Sequence, residues 1–116
     1  MRIATGTALA LMLASLAFSR EAPLVTVGSK QFTESVILGE IATQLLESEG
    51  IQAQHQAQLG GTRFLWAALL AGEIDLYVEY TGTLRTEILG WPPDLETDPA
   101  VLRRVLLEQG IRMSEP

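Results

Sequence analysis

The sequence predicts an α/β fold: a parallel-type sheet with flanking helices. Two observations support this. Short segments with β-branched or alternating apolar residues are followed in the sequence by segments whose apolar residues have helical spacing. The resulting order, strand–helix–strand–helix–strand, is typical of parallel sheets joined by helical crossovers. The 116 residues are enough for one small domain, and 47 % hydrophobic with 19 % charged residues is a composition that folds.

The first strand and first helix are the clearest elements. Residues 24–27 are short and rich in β-branched side chains, which predicts a buried strand. Thr33 is expected to cap a helix over residues 34–49, and Gly50 to end it in the left-handed conformation. Apolar residues repeat along this helix at helical spacing: Val36, Ile37, Ile41, Leu45 and Leu46.

The second half of the pattern repeats the first. Residues 51–59 alternate apolar side chains with glutamines, which predicts a half-exposed strand with a structural His55 on its apolar face. A glycine pair then precedes a helix over 62–72, and residues 74–80 predict a third strand. A short helix over 83–89 follows, and the last helix begins at Asp98-Pro99 and ends at Gly110.

Charge and cysteine content exclude several classes of function. The chain has 8 basic and 14 acidic residues and a formal charge of −6, whereas binding to nucleic acid needs a basic surface. It has no cysteine and one histidine, so thiolate and multi-histidine metal sites are excluded. We expect no metal, no cofactor and no nucleic-acid partner.

The amino-terminal segment, residues 1–19, has the pattern of a cleaved signal peptide. Arg2 precedes an almost uncharged run rich in alanine and leucine, and a small-x-small pattern ends at Ser19. A membrane anchor is the alternative, but the run is shorter than the roughly 20 residues that span a bilayer. We expect residues 20–116 to be exported to the periplasm, without a lipid anchor because cysteine is absent.

Three loops should meet at one edge of the sheet, because ligands of open α/β sheets bind beyond the carboxyl ends of the strands. These loops are 28–33, 60–62 and 80–83. Lys30, the only lysine, and Thr83, expected at a helix start, suit an anion, whereas the Tyr80 ring suits a cation. Together they describe a site for a small zwitterion. The alternative is an exposed lysine, a core tyrosine and an ordinary helix cap.

Enzymatic function is not supported. Asp75 and Glu79 would lie about 13 Å apart on one face of an extended strand, beyond the separation of glycosidase carboxylates. Nucleophile-elbow, phosphate-loop and dinucleotide motifs are absent from the sequence. Tyr77 would face away from Tyr80 and pack in the core. We therefore expect no catalytic residues.

Four ordered motifs resemble the substrate-binding proteins of osmoprotectant ABC transporters, which capture glycine betaine, choline, carnitine and related quaternary ammonium compounds. The motifs are Gly28-Ser29-Lys30-Gln31-Phe32-Thr33-Glu34, Ile37-Leu38-Gly39-Glu40, Leu59-Gly60-Gly61-Thr62 and the run from Gly72 to Thr83 that contains Glu-Tyr-Thr-Gly-Thr.

The resemblance implies a type II periplasmic-binding-protein fold, in which two α/β lobes close on the ligand. Residues 20–116 would then be the amino-terminal, incomplete part of the first lobe. The resemblance assigns Lys30 to the ligand site, Tyr80 to one wall of an aromatic cage around the trimethylammonium group, and Thr83 to the carboxylate. Secondary candidates in the matching motifs are Gln31, Gly61 and Thr62. An ABC permease with its ATPase would be the partner.

Two other interpretations stay open at this point. One is a truncated gene product that folds partly and binds no ligand tightly. The other is the effector domain of a transcription regulator, which shares the fold class but requires a DNA-binding segment; the export signal and the acidic charge argue against it.

Overall fold

A computed structural model describes residues 21–115, so the predicted signal peptide lies outside the described residues. The sheet has three strands, β1 (Val25–Gly28), β2 (Ala53–Gln56) and β3 (Leu76–Tyr77), in the order β2-β1-β3. Both pairings are parallel. The predicted parallel α/β class is therefore confirmed, with β1 in the centre.

The second and third strands are shorter than predicted. The extended run after β2 ends at Gln58, whose φ of 58° is left-handed, and the next amide, Leu59 N–H, donates to Ser29 O at 3.0 Å. The third strand was predicted over 74–80 but pairs only at Leu76–Tyr77, because β1 ends at Gly28 opposite Tyr77.

Four helical segments accompany the strands. They are α1 (Thr33–Ser48), α2 (Thr62–Ala71), α3 (Thr81–Thr83), which continues as a π-helical turn over Leu84–Ile88, and α4 (Pro99–Glu108). Among the residues that the structure describes, no helix is both long and apolar enough to cross a membrane.

The helix ends follow the predicted signals with one exception. Asp98 caps α4, since its Oδ1 accepts from Ala100 N–H at 2.8 Å. Gly50, Gly72 and Gly110 follow α1, α2 and α4 with φ of 77°, 73° and 78°, values that favour glycine. The predicted cap at Thr33 is wrong: Thr33 is the first helical residue, and the N-cap, Phe32, makes no side-chain hydrogen bond.

Helix α1 buries small residues most deeply, whereas two of its five predicted apolar residues, Val36 and Leu46, are half-buried and the other three are exposed. The buried positions are Ser35, Gly39 and Thr43, while Ile37, Ile41 and Leu45 are 54 %, 50 % and 62 % exposed. A Cβ on Gly39 would lie 2.6 Å from His55 Nε2 and 3.0 Å from Ser29 Cβ. The close approach of α1 to the sheet therefore selects small side chains on the contact face.

The core consists of two clusters. Leu65, Ala68 and Ile74 form the first, and Tyr77 packs against it as predicted. Leu84, Leu102 and Leu106 form the second, which Trp66, Trp91 and Met113 partly cover. The two clusters meet at α2, which carries Leu65 and Ala68 of the first cluster and Trp66 against the second. Leu59, just before the second predicted loop, packs against the first cluster, and Leu84, just after the third, belongs to the second.

Candidate functional site

The three predicted loops converge beyond the carboxyl ends of the strands, and we call this region the rim (residues 28–33, 60–62 and 79–83). Gln31 N–H donates to Gly60 O at 3.1 Å, which joins the first loop to the second. Lys30 Nζ reaches Thr62 Oγ1 at 3.3 Å and Glu79 Oε1 at 2.5 Å, which joins the first loop to the other two. These contacts bring segments that are distant in the sequence to one place.

Lys30 and Glu79 form a buried ion pair at the centre of the rim. Their side chains are 6 % and 5 % exposed. Glu79 Oε1 also accepts from the Tyr80 N–H at 3.0 Å, and the Lys30 N–H donates to Ser35 Oγ at 2.8 Å. Sequence reasoning treated Glu79 only as a possible acid or base. No local sequence pattern predicted that Glu79 would be buried against Lys30.

Two aromatic rings flank the lysine ammonium. Lys30 Nζ lies 5.4 Å from the ring centroid of Phe32 and 5.7 Å from that of Tyr80, within the roughly 6 Å range of cation–π attraction. The two residues are 41 % and 40 % exposed. Phe32 was not among the predicted site residues; the available signal was an aromatic residue two positions after Lys30 in the same loop.

A second carboxylate, that of Glu34, lies near Tyr80. Interaction with Glu34 is the main cause that raises the pKa of Tyr80, and burial and the charges of Glu34 and Glu79 add to it. Glu34 belongs to the first turn of α1. The rim is therefore bordered by two carboxylates and contains one lysine.

The remaining predicted residues occupy different positions around this centre. Thr83 is the third residue of α3 and not its start; its N–H is still one of the first-turn amides that lack an intrahelical acceptor. Gly61 is the N-cap of α2, and an added Cβ there would meet nothing within 4 Å. Gln31 is exposed. Within residues 21–115, no side-chain hydrogen bond links Thr83 or Gln31 to the Lys30 pair.

A second polar network lies on the other side of β1. Ser29 Oγ is 2.8 Å from His55 Nε2, and His55 Nδ1 is 3.0 Å from Glu40 Oε2. Hydrogen bonds from Gln44 first, and from His55 second, lower the pKa of Glu40. Ser29 is 1 % exposed, so no substrate reaches its hydroxyl. The network ties α1 to β1 and β2, in agreement with the structural interpretation of His55.

The two carboxylates considered for catalysis serve separate contacts. Asp75 Oδ2 accepts from the Thr26 N–H at 2.7 Å, whereas Glu79 pairs with Lys30. Each carboxylate is thus engaged by a different partner within the chain.

A groove of about 600 Å³ runs beside β3 and shares Glu79 with the rim. Its walls are mainly apolar and include Trp66, Leu106 and Met113. Tyr77 and Glu79 also line it, and Tyr77 Oη and Glu79 Oε2 have no hydrogen-bond partner within the described residues. Burial raises the pKa of Tyr77, and the nearby Glu79 charge adds to the effect. Within the described residues, the rim is where two aromatic rings lie within 6 Å of a lysine ammonium.

The comparisons with known proteins identify the family of the chain. Residues 23–113 match the model of OpuAC, the substrate-binding domain of ABC-type glycine betaine transport systems. The chain is 40 % identical over 82 residues to the glycine betaine-binding protein YehZ of Escherichia coli strain K12, covering 71 % of this chain and 27 % of YehZ. It is 39 % identical over 85 residues to the ergothioneine transport permease/ergothioneine binding protein EgtU of Helicobacter pylori strain G27, covering 72 % of this chain and 15 % of EgtU.

A solved structure supports the same relationship. The structure of apo YehZ from Escherichia coli superposes with a TM-score of 0.62 at 34 % identity, over 75 % of this chain and 32 % of that chain. The chain thus spans about a quarter of YehZ and less of EgtU. Since the family match extends over most of its length, the chain belongs to the family of substrate-binding domains of ABC-type glycine betaine transport systems.

Proposed function

We propose that this chain is the amino-terminal part of a periplasmic substrate-binding domain that captures small quaternary ammonium compounds for an ABC importer. The observation that carries the proposal is the position of a cation at the rim: Lys30 Nζ lies within 6 Å of the ring centroids of both Phe32 and Tyr80. A quaternary ammonium group has no N–H to donate, so ring faces take the place of hydrogen-bond acceptors.

The ligand class follows from the groups at the rim that can bind a negative charge on the ligand. Lys30 and Thr62 supply polar hydrogens at the centre of the rim, and Thr83 adds a first-turn amide and a hydroxyl. These groups suit a carboxylate, so a zwitterion fits better than a simple cation. The names of two relatives point the same way, since glycine betaine and ergothioneine both carry a trimethylammonium group and a carboxylate.

The partner and location follow from the family and the amino-terminal sequence. A binding domain delivers its ligand to a permease that an ATPase drives, and residues 1–19 have the features of an export signal. The role requires no chemical step, which accords with the absence of sequence motifs for catalysis. We propose the same partner class here: a membrane permease with its ATPase.

A second candidate is a chain that folds but does not bind a ligand tightly. Tyr80 is 40 % exposed, and one or two half-open rings enclose only part of a trimethylammonium group. This arrangement predicts weak binding by the 116-residue chain alone, in about the millimolar range or weaker.

The test is an NMR titration of the purified chain with glycine betaine. We expect shifts confined to the rim, at Lys30 and Tyr80, and their loss in Tyr80→Ala. Tyr77→Phe is the matched control, because Tyr77 packs against the first core cluster and lines the groove instead of the rim. In a protein of the relatives' full length, Tyr80→Ala should weaken binding about ten- to hundredfold.

The outcomes separate the two candidates. No rim shift at any accessible glycine betaine concentration would favour the chain without tight binding. Micromolar affinity would overturn the view that the rim of this chain is only part of the site. Shifts that persist in Tyr80→Ala would remove Tyr80 from the site.

A further inference from the structure

We propose that Glu79 sets the charge preference of the rim, because it neutralises Lys30 and thereby excludes ligands that carry only a negative charge. This inference deepens the proposed function and rests on it for the identity of the site. It concerns a residue that forms no part of the assigned aromatic wall or carboxylate contact.

The first step is the strength of the pair. Glu79 Oε1 and Lys30 Nζ are 2.5 Å apart, and both side chains are almost fully buried. Away from water, the attraction between opposite charges is several times stronger than at the surface. Within the residues that the structure describes, the only other side-chain hydrogen-bond partner of the ammonium is Thr62 Oγ1. Lys30 therefore does not present a free positive charge.

The second step is the cost to an incoming anion. A simple carboxylate that takes the ammonium from Glu79 leaves a buried carboxylate unpaired, which is strongly unfavourable. Glu79 already has one unpartnered oxygen, Oε2, which is buried. Without a new positive charge, the Tyr80 N–H at Oε1 would be the hydrogen-bond donor left to the buried Glu79 charge within the described residues.

The third step is the advantage of a zwitterion. Its cationic end can enter the space between the Phe32 and Tyr80 rings, where the ammonium of Lys30 now lies. That positive charge replaces the lysine near Glu79, and Lys30 then turns to the ligand carboxylate. The exchange keeps every buried charge paired, so the rim accepts ligands that bring their own cation.

The test uses Glu79→Gln, which removes the charge and retains an oxygen that accepts from the Tyr80 N–H. Glu47→Gln is the matched control, since it removes the same charge from an exposed position near the far end of α1. The probes are acetate, tetramethylammonium and glycine betaine. Lys30 is the only lysine, so ¹⁵N-lysine labelling gives one side-chain signal to follow.

We expect Glu79→Gln to bind acetate at least about tenfold more tightly than the parent chain and to bind tetramethylammonium less tightly. Glu47→Gln should match the parent chain for all three probes. Glu79→Asp keeps the charge with a shorter reach and should give an intermediate acetate affinity, so it carries the test if the glutamine variant does not fold.

An acetate affinity of Glu79→Gln, or of Glu79→Asp if the former fails to fold, within about twofold of the parent would overturn the inference. If the parent chain ignores glycine betaine while the variant gains acetate binding, the role of Glu79 stands and the proposed ligand class fails. If glycine betaine binds the parent chain and the variant's acetate affinity is unchanged, the proposed ligand class stands and the role of Glu79 fails.

Discussion

Two acidic side chains pair with nitrogen bases on opposite sides of the central strand, and their surroundings give them different roles. On the β3 side, Glu79 holds Lys30 with both side chains about 5 % exposed. On the β2 side, Glu40 holds His55, but the Glu40 side chain is 51 % exposed. A similar pairing therefore produces a buried ion pair beside β3 and a partly exposed contact beside β2.

The difference originates in two consecutive residues. Just beyond the end of β1, Ser29 turns to His55 of β2, and Lys30 turns to Glu79, which follows β3. The two residues meet different neighbours because β1 lies between β2 and β3. Burial then decides what it costs to break each pair: removing one partner costs little at the surface, but in the interior it leaves the other charge unpaired, which is strongly destabilising.

The largest effect is expected at the buried pair. Lys30→Met leaves Glu79 buried without a partner and should lower the free energy of unfolding by about 3–5 kcal/mol. Urea unfolding followed by the fluorescence of Trp66 and Trp91 measures this. Lys30→Met combined with Glu79→Leu should recover most of the loss, because two apolar side chains leave no charge unpaired. A single-variant loss below about 1 kcal/mol would show that water screens the pair.

An intermediate effect is expected where α1 crosses the sheet. Gly39→Ala places a Cβ 2.6 Å from His55 Nε2 and 3.0 Å from Ser29 Cβ, so the helix or the histidine must move. We expect a loss of about 1–3 kcal/mol, as for overpacked cores. Gly82→Ala is the control, since a Cβ there meets nothing within 4 Å. Equal stability of the two variants in the same urea assay would contradict the tight contact.

The smallest effect is expected at the exposed pair. The pKa of Glu40 is lowered in the folded chain, so its stabilisation is present above the unfolded pKa and is lost as pH falls through the folded pKa. Glu40→Gln should lower Tm slightly at neutral pH, by less than Gly39→Ala, and not at all in strong acid. Thermal unfolding at neutral and acidic pH measures this difference. A Tm difference that persists below about pH 2 would contradict an ionic origin.

The rim could be located from the sequence, but its internal contacts could not. Parallel strands place their carboxyl ends together, so the loops containing Lys30, Thr62 and Tyr80 were expected to meet, and the structure joins them. Lys30 pairs with Glu79, which lies 49 residues later in the sequence. No local pattern indicates a partner so far along the chain, whereas Phe32, two residues after Lys30, could have been proposed from the sequence.

Local chemistry alone determined the parallel α/β class, the order of elements, the cap at Asp98 and the glycines that end the helices, because period and backbone preference act over a few residues. Only the tertiary structure decided the strand lengths, the buried face of α1 and the partner of Lys30. Helical spacing favoured Ile37, Ile41 and Leu45 as a packing face, yet the close approach of α1 to His55 buried Ser35, Gly39 and Thr43 instead. The space between packed elements, which no single segment contains, sets these outcomes.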